Sequence, residues 1–163
     1  MKTHFNMKRV KLTRNKFTLI DDNDYEKVIQ YKWLCNNYGY ATRQYWDRIS
    51  KKYKGIFLSN FILGALENQS VDHINGNRLD NRKNNLRICS FLENRRNKSI
   101  YKNNKSGFKG VDKSSKNRWR ATIRINGEKI HLGSFIDKKE AALAYDLAAQ
   151  KHFGEFARLN FAL

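Results

Sequence analysis

The sequence predicts an α+β chain: an N-terminal strand-helix segment, then a strand-loop-strand-helix module, then a three-stranded antiparallel sheet packed on one helix. Three observations predict it. Residues 71–97 place two short apolar runs around a polar loop and end in a capped helical start; from Gly107 onward period-two alternation takes over and closes in an alanine-striped helix; and Lys98 to Ser106, polar and without periodicity, stands between them as a linker. The expected organisation is an N-terminal segment over 1–70, the middle module over 71–98, a linker over 99–106 and a C-terminal domain over 107–163.

Lys16 to Ile20 has the pattern of a strand, and the Asp21-Asp22-Asn23-Asp24 cluster starts a short helix with Tyr25, Val28 and Ile29 on one face, closed by Trp33. Leu34 to Trp46 suits two strands around Asn36-Asn37, and Lys51 to Gly55 turns into a further strand, Ile56 to Leu58. Ser59 is placed to cap a helix running through Leu66. Tyr31, Trp33, Tyr38, Tyr40, Tyr45 and Trp46 are able to stack on bases, but small mixed domains usually bury such residues, so they are expected in the core. Val71 to Ile74 and Leu86 to Cys89 are strands, with Asn75-Gly76 turning the chain after the first, and Ser90 with Glu93 forms an S-x-x-E capping box for the helix that follows.

In the C-terminal part, Trp119, Ala121, Ile123 and Ile125 alternate with Arg118, Arg120, Thr122 and Arg124, which gives a strand with one apolar and one cationic face. Asn126-Gly127 is a hairpin signal, and Ile130 and Leu132 continue the buried face. Asp137 and Glu140 cap a helix whose Ala141, Ala144, Tyr145, Ala148 and Ala149 form one stripe, with Gly154 at its end.

Composition restricts the function. The chain carries 33 Lys and Arg against 15 Asp and Glu, a net charge of +18, and the excess is spread as +7, +6 and +5 over residues 1–70, 71–105 and 106–163. A basic surface extended along the molecule points to a polyanion, and to nucleic acid before a membrane. No apolar run approaches the ~20 residues that span a bilayer, and Met1 to Asn6 lacks the apolar stretch of a secretory signal, so a cytoplasmic protein of a bacterial or phage-infected cell is expected. Cys35 and Cys89 are too few for a disulfide framework or a four-cysteine knot, so no structural zinc is expected. Nineteen asparagines and no proline suit the AT-rich coding of phage or mobile elements. His4 reads as a terminal residue and His152 as a helix-end residue.

Chemistry concentrates in the middle module. Asp72-His73 ends a strand, Asn85 follows twelve residues after His73, and Asn94 lies in the first turn of the capped helix. A carboxylate and an amide oxygen are hard ligands suited to one Mg²⁺ or Mn²⁺ ion, and a histidine titrating near 6.5 is suited to take a proton from water. Val71-Asp72-His73-Ile74-Asn75-Gly76, Asn84-Asn85-Leu86-Arg87 and Glu93-Asn94-Arg95-Arg96-Asn97 resemble the HNH endonuclease motif. The resemblance covers roughly residues 71–98 and implies a ββα-metal module in which Asp72 and Asn94 hold the ion, His73 is the general base, and Asn85 fixes the loop and the orientation of the histidine. Related phage and intron enzymes often have a histidine in the upstream segment where this chain has Ser59-Asn60.

A second resemblance runs through Phe108-Lys109-Gly110-Val111, Trp119-Arg120-Ala121, Leu132-Gly133-Ser134-Phe135, Ala144-Tyr145-Asp146 and Leu159-Asn160-Phe161, which look like the Apetala-type (ethylene-response-factor) DNA-binding domain. That resemblance implies a sheet laid in the major groove of duplex DNA. The expected DNA contacts are Lys109, Lys113, Lys116, Arg118, Arg120, Arg124, Lys129 and His131, joined by Arg95, Arg96 and Lys98 after the metal helix. Asp112, Ser114, Lys116, Thr122 and His131 depart from the family's usual residues, so its target sequence does not carry over. Together the two resemblances imply a site-selective, metal-dependent DNA endonuclease of the homing or mobile-element type that nicks double-stranded DNA and needs no small-molecule cofactor. The competing classes are a DNA-binding regulator with an inactive nuclease scaffold and an RNA-binding protein.

Overall fold

The computed structural model describes residues 7–98, 100 and 103–161; His4, the terminal Met1 to Asn6 segment, and Ser99, Tyr101 and Lys102 of the expected linker lie outside them. It is a mixed α/β structure built from several small sheets and few helices, and the chain divides into two compact units, residues 1–91 and 92–163. No helix among the described residues is long and apolar enough to cross a membrane.

In the first unit, β1 (Met7–Lys11) and β2 (Phe17–Asp21) form a hairpin, and α1 (Tyr25–Ile29) follows a short 3-10 turn over Asp22–Asp24. β3 (Leu34–Cys35), β4 (Ala41–Asp47) and β5 (Lys52–Phe57) make a three-stranded antiparallel meander. α2 (Leu58–Leu63) leads to the ribbon of β6 (Ser70–His73) and β7 (Leu86–Cys89), and α3 (Phe91–Arg96) starts immediately after Ser90. One apolar cluster joins these pieces: Val10, Ile20, Val28, Trp33, Leu58 and Ile62 of the N-terminal segment are packed with Val71 and Leu86 of the ribbon. The ribbon by itself is two short strands, too small to bury a core. The shared cluster therefore makes the N-terminal segment part of the support for the β6–β7 ribbon.

Two expectations for this unit are corrected. Ser59 does not cap α2: the helix starts two residues earlier, extended Phe57 occupies the N-cap position, Ser59 is buried in the first turn, and left-handed Gly64 ends the helix short of Leu66. The aromatic residues are not all core. Trp33 is buried and donates its indole N–H to the Val28 carbonyl at 2.9 Å, but Tyr38, in the turn between β3 and β4, is 76% exposed, and Trp46 is 51% exposed because β4 and β5 reach beyond the cluster that covers their inner ends.

The second unit is a meander of β8 (Val111–Ser115), β9 (Arg118–Ile125) and β10 (Glu128–Phe135) with α4 (Lys138–Phe153) across one face. Asn126 and Gly127 both have positive φ, as a type I′ turn requires, and the Asp137 side chain accepts the Lys139 N–H at the start of α4. Ala141, Ala142 and Ala149 let the helix lie close on Val111, Ala121 and Ile123. At the C-terminus Asp146 accepts the backbone N–H groups of Asn160 and Phe161, while the Asn160 side chain bonds both backbone groups of Lys109. Asn104 and Ser106, from the polar stretch read as linker, close the turn before β8, with the buried Ser106 hydroxyl at 2.8 Å from the Val111 carbonyl.

Gly110 has φ +75°, and a Cβ built there meets the Tyr145 ring at 1.9 Å. Gly110→Ala is expected to destabilise the protein by about 1–3 kcal/mol through overpacking and strain, measured as a lowered urea midpoint with an unchanged slope.

Candidate active site and nucleic-acid interface

His73 is the last residue of β6, opposite Leu86, and is 5% exposed. Its Nε2 lies 3.2 Å from Asn81 Oδ1. The Asn81 amide nitrogen donates to Thr18 Oγ1 at 2.8 Å, and that hydroxyl donates to the Leu79 carbonyl at 2.9 Å. This chain of donors assigns Asn81 Oδ1 as an acceptor, hence Nε2 as the protonated nitrogen and Nδ1 as the basic one. Burial holds the imidazole pKa below its ordinary value, against the opposing pull of the Asn81 hydrogen bond and of Asp72 and Asp80. Burial thus favours the neutral form of the ring. Motif reasoning missed Asn81 and Thr18, the residues that reach His73 from the loop and from β2; the only signal was a polar residue in the loop after Asn75-Gly76, with nothing to single it out.

Asn85 braces the loop that carries Asn81. Its side-chain oxygen accepts the Asn75 N–H at 3.0 Å, its amide donates to the Asp80 carbonyl at 2.8 Å, and its backbone carbonyl accepts the Ile74 N–H. Asp80 is held by Arg82 through two bonds of 2.7 Å and by the Asn75 amide, and these donors keep its carboxyl below the usual range. The loop is also clipped to β2: Leu19 N–H donates to Leu79 O and Asn81 N–H to Leu19 O, both at 2.8 Å.

Asp72 precedes His73, so the two side chains leave opposite faces of the ribbon. It is buried and faces its cross-strand neighbour Arg87, whose Nε and Nη2 reach Oδ2 at 3.0 and 2.7 Å. Asn94 lies in α3, within the second unit, and is half-buried. Among the described residues no group of three or more His, Cys, Asp or Glu side chains is placed to hold a metal. The Asp72 carboxylate and the Asn94 amide are each hard oxygen donors of the kind that Mg²⁺ or Mn²⁺ takes.

In the second unit the face away from α4 gathers Arg118, Arg120, Arg124, Lys129 and His131 of the expected DNA contacts. Arg124 pairs in register with Lys129, Thr122 with His131, and Arg120 with Ser134 on one side and Asp112 on the other. Ser114, Arg120, Thr122, Lys129, His131 and Ser134 line an open hollow of about 450 Å³. Arg120 is ion-paired with Asp112, Arg118 donates to Ser134 O at 3.3 Å, and Arg124 donates to Gly127 O at 2.6 Å, so internal bonds orient these guanidinium groups. Lys113 sits 5.9 Å from the centre of the Trp119 ring, and Lys116 is exposed at the β8–β9 turn. Arg95 and Lys98 are exposed, and Arg96 lies over the Phe153 ring at 4.6 Å. Lys109 is engaged differently from the rest: its half-buried ammonium donates to the carbonyls of Arg96 and Lys98 at the end of α3, and burial, aided by Arg158, pushes its pKa down to about 8.

The buried strand-end histidine beside an aspartate, the braced asparagine loop and the helix that follows in sequence stand in the order of the HNH motif. Comparison with known proteins agrees: the HNH endonuclease profile matches residues 62–96. The chain is 31% identical over 145 residues to Uncharacterized HNH endonuclease L560 of Acanthamoeba polyphaga mimivirus, covering 88% of this chain and 74% of the relative. The chain therefore belongs to the HNH endonuclease family, whose nucleases generally use divalent metal ions. It is also 35% identical over 91 residues to Protein 3.8 of Escherichia phage T7, covering 55% of this chain and 74% of that protein. A shorter likeness, 43% over 61 residues, links 36% of the chain to 18% of Dehydration-responsive element-binding protein 2A of Arabidopsis thaliana.

The lowered His73 pKa has a consequence for stability. The fold favours the neutral ring, so that contribution is present above the ordinary value of 6.5 and is lost as pH falls through the depressed folded value. With EDTA present, the stability of the parent relative to His73→Gln is expected to fall between about pH 7.5 and pH 5, measured by urea unfolding of both proteins across that range.

Proposed function

We propose that this chain is a site-selective, divalent-metal-dependent DNA endonuclease of the homing or mobile-element type. The observation that carries the reading is the Thr18–Asn81–His73 chain, which supports a neutral histidine with a defined basic nitrogen. His73 Nδ1 takes the proton of a water aligned with the scissile phosphorus, Asn81 holds the imidazole on its far side, and Asn85 keeps the loop from shifting. Asp72 and Asn94 are the residues that the HNH resemblance assigns to Mg²⁺ or Mn²⁺, and such an ion would supply electrostatic stabilisation of the charge that builds on the phosphate. Hydrolysis then leaves a 5′ phosphate and a 3′ hydroxyl. One site per chain favours a nick. The second unit supplies affinity and register: Arg118, Arg120, Arg124, Lys129 and His131 face the bases, while Lys113, Lys116, Arg95, Arg96 and Lys98 meet phosphates.

A second reading, a DNA-binding regulator with a silent nuclease module, draws on the Arg87 ion pair that engages Asp72. Incubation with supercoiled plasmid, with Mg²⁺ or Mn²⁺ against EDTA, separates the two. Nicking that requires the ion supports the endonuclease, and none with either ion supports the regulator.

His73→Ala is expected to lower the nicking rate about 10²- to 10⁴-fold with plasmid binding intact, read by single-turnover gel assay and a parallel shift assay. Duplex affinity is expected to fall on the order of 10³-fold between about 50 and 200 mM salt if roughly six phosphates are neutralised, read by fluorescence anisotropy.

A further inference from the structure

The exposed aromatic residues of the first unit are not scattered. The register Trp46↔Tyr53, Gln44↔Gly55, Thr42↔Phe57 places Trp46, Tyr53 and Phe57 on one face of the β4–β5 ribbon, in rows ~6.8 Å apart. Trp46 and Tyr53, the latter 74% exposed, meet edge-on with ring centroids 5.1 Å apart. Phe57 meets Tyr40 at 5.3 Å, and Tyr40 lies 5.9 Å from the His73 ring. The row therefore begins in solvent and ends on the histidine. Between the two ring pairs lies a gap, because Gly55 has no side chain and a Cβ built there meets nothing within 4 Å.

The charges around this row suit a polyanion. Arg48 and Lys51 are exposed at the tip of the ribbon, and Arg78 lies 4.8 Å from the centre of the Tyr40 ring. The carboxylate next in sequence, Asp47, belongs to the opposite face, where Lys54 and Ser50 bind it. A solvent-facing aromatic row with a cationic rim is the pattern on which bases of an unpaired strand stack while the rim follows the phosphates.

We propose that this face binds unpaired nucleotides of a DNA strand and leads that strand to His73, with bases stacked on Trp46, Tyr53 and Phe57 and one base seated over Gly55 beside the Gln44 amide. The end point at His73 rests on the endonuclease function proposed for the chain; the stacking does not. It follows that the protein favours DNA that is unpaired or easily unpaired next to the cleavage point.

The test uses the full chain with EDTA, so that cleavage plays no part, and a short oligothymidylate as probe against a fully paired duplex. Binding of the oligothymidylate is expected to quench tryptophan fluorescence, and Trp46→Phe is expected to remove most of that change. Trp46→Ala with Tyr53→Ala is expected to weaken oligothymidylate about 5- to 150-fold per lost stack, with duplex affinity nearly unchanged. Gly55→Val, which fills the gap without left-handed strain, is expected to weaken it as well. If the double variant does not fold by circular dichroism, the solvent-exposed Tyr53→Ala carries the measurement alone. Unchanged oligothymidylate affinity in these variants overturns the proposal, as does equal weakening for oligothymidylate and duplex. A parent dimer that the variants convert to monomer, with oligothymidylate binding unchanged, overturns it in favour of a contact between two copies. A parent that binds oligothymidylate through this face yet never nicks plasmid removes the endonuclease reading and leaves the stacking face standing.

Discussion

Two backbone hydrogen bonds, Leu19 N–H to Leu79 O and Asn81 N–H to Leu19 O, hold the centre of the candidate site together. They join the loop between β6 and β7 to the edge of β2, and through them a polar loop twelve residues long acquires a fixed position beside a buried histidine. An unclipped loop of that composition samples many conformations, and each residue that must be ordered costs about 1–2 kcal/mol of backbone entropy. The two clips, the Asn85 brace and the Asp80–Arg82 pair offset this cost locally, so Asn81 meets His73 without waiting for substrate. Pre-organisation of this kind fixes the orientation of the buried imidazole before anything binds.

The second unit solves the matching problem for a cationic sheet. Its arginines lie close together in register, where like charges repel, and each is oriented by an acceptor of its own: Asp112 for Arg120, the Ser134 carbonyl for Arg118, the Gly127 carbonyl for Arg124. Exposed pairs of this sort add little stability. Their value lies in direction, because a guanidinium held at one end presents the other in a defined plane. The Asp146–Asn160–Lys109 bonds explain why separated signature segments stand together: they close the tail of the domain on the start of its sheet.

Most of the elements were legible because short-range patterns dictate them. Leu86 to Cys89 forms a strand over the expected span, α3 starts directly after Ser90, and Asn126-Gly127 turns with two positive φ values. Ser59 misled because its hydroxyl suits a cap, whereas extended Phe57 had already begun the helix. The exposure of Trp46 and Tyr53 was illegible for a different reason: alternation tells which residues share a face, not whether anything covers it. Asn81 was the deepest omission. Its role depends on Thr18, 63 residues away, and no local pattern carries that contact.

The HNH profile ends at residue 96, but the compact first unit ends at residue 91, so the motif's own helix is built into the unit that follows. Lys109 reinforces that attachment from the neck of the sheet domain by capping the last carbonyls of α3. The polar stretch after Lys98 consequently makes a poor splice point for exchanging C-terminal domains. A graft that keeps everything through residue 98 but replaces the rest also removes the cation that closes the helix. Any replacement for the residues after 98 would have to bring its own donor for the Arg96 and Lys98 carbonyls to keep the end of α3 closed.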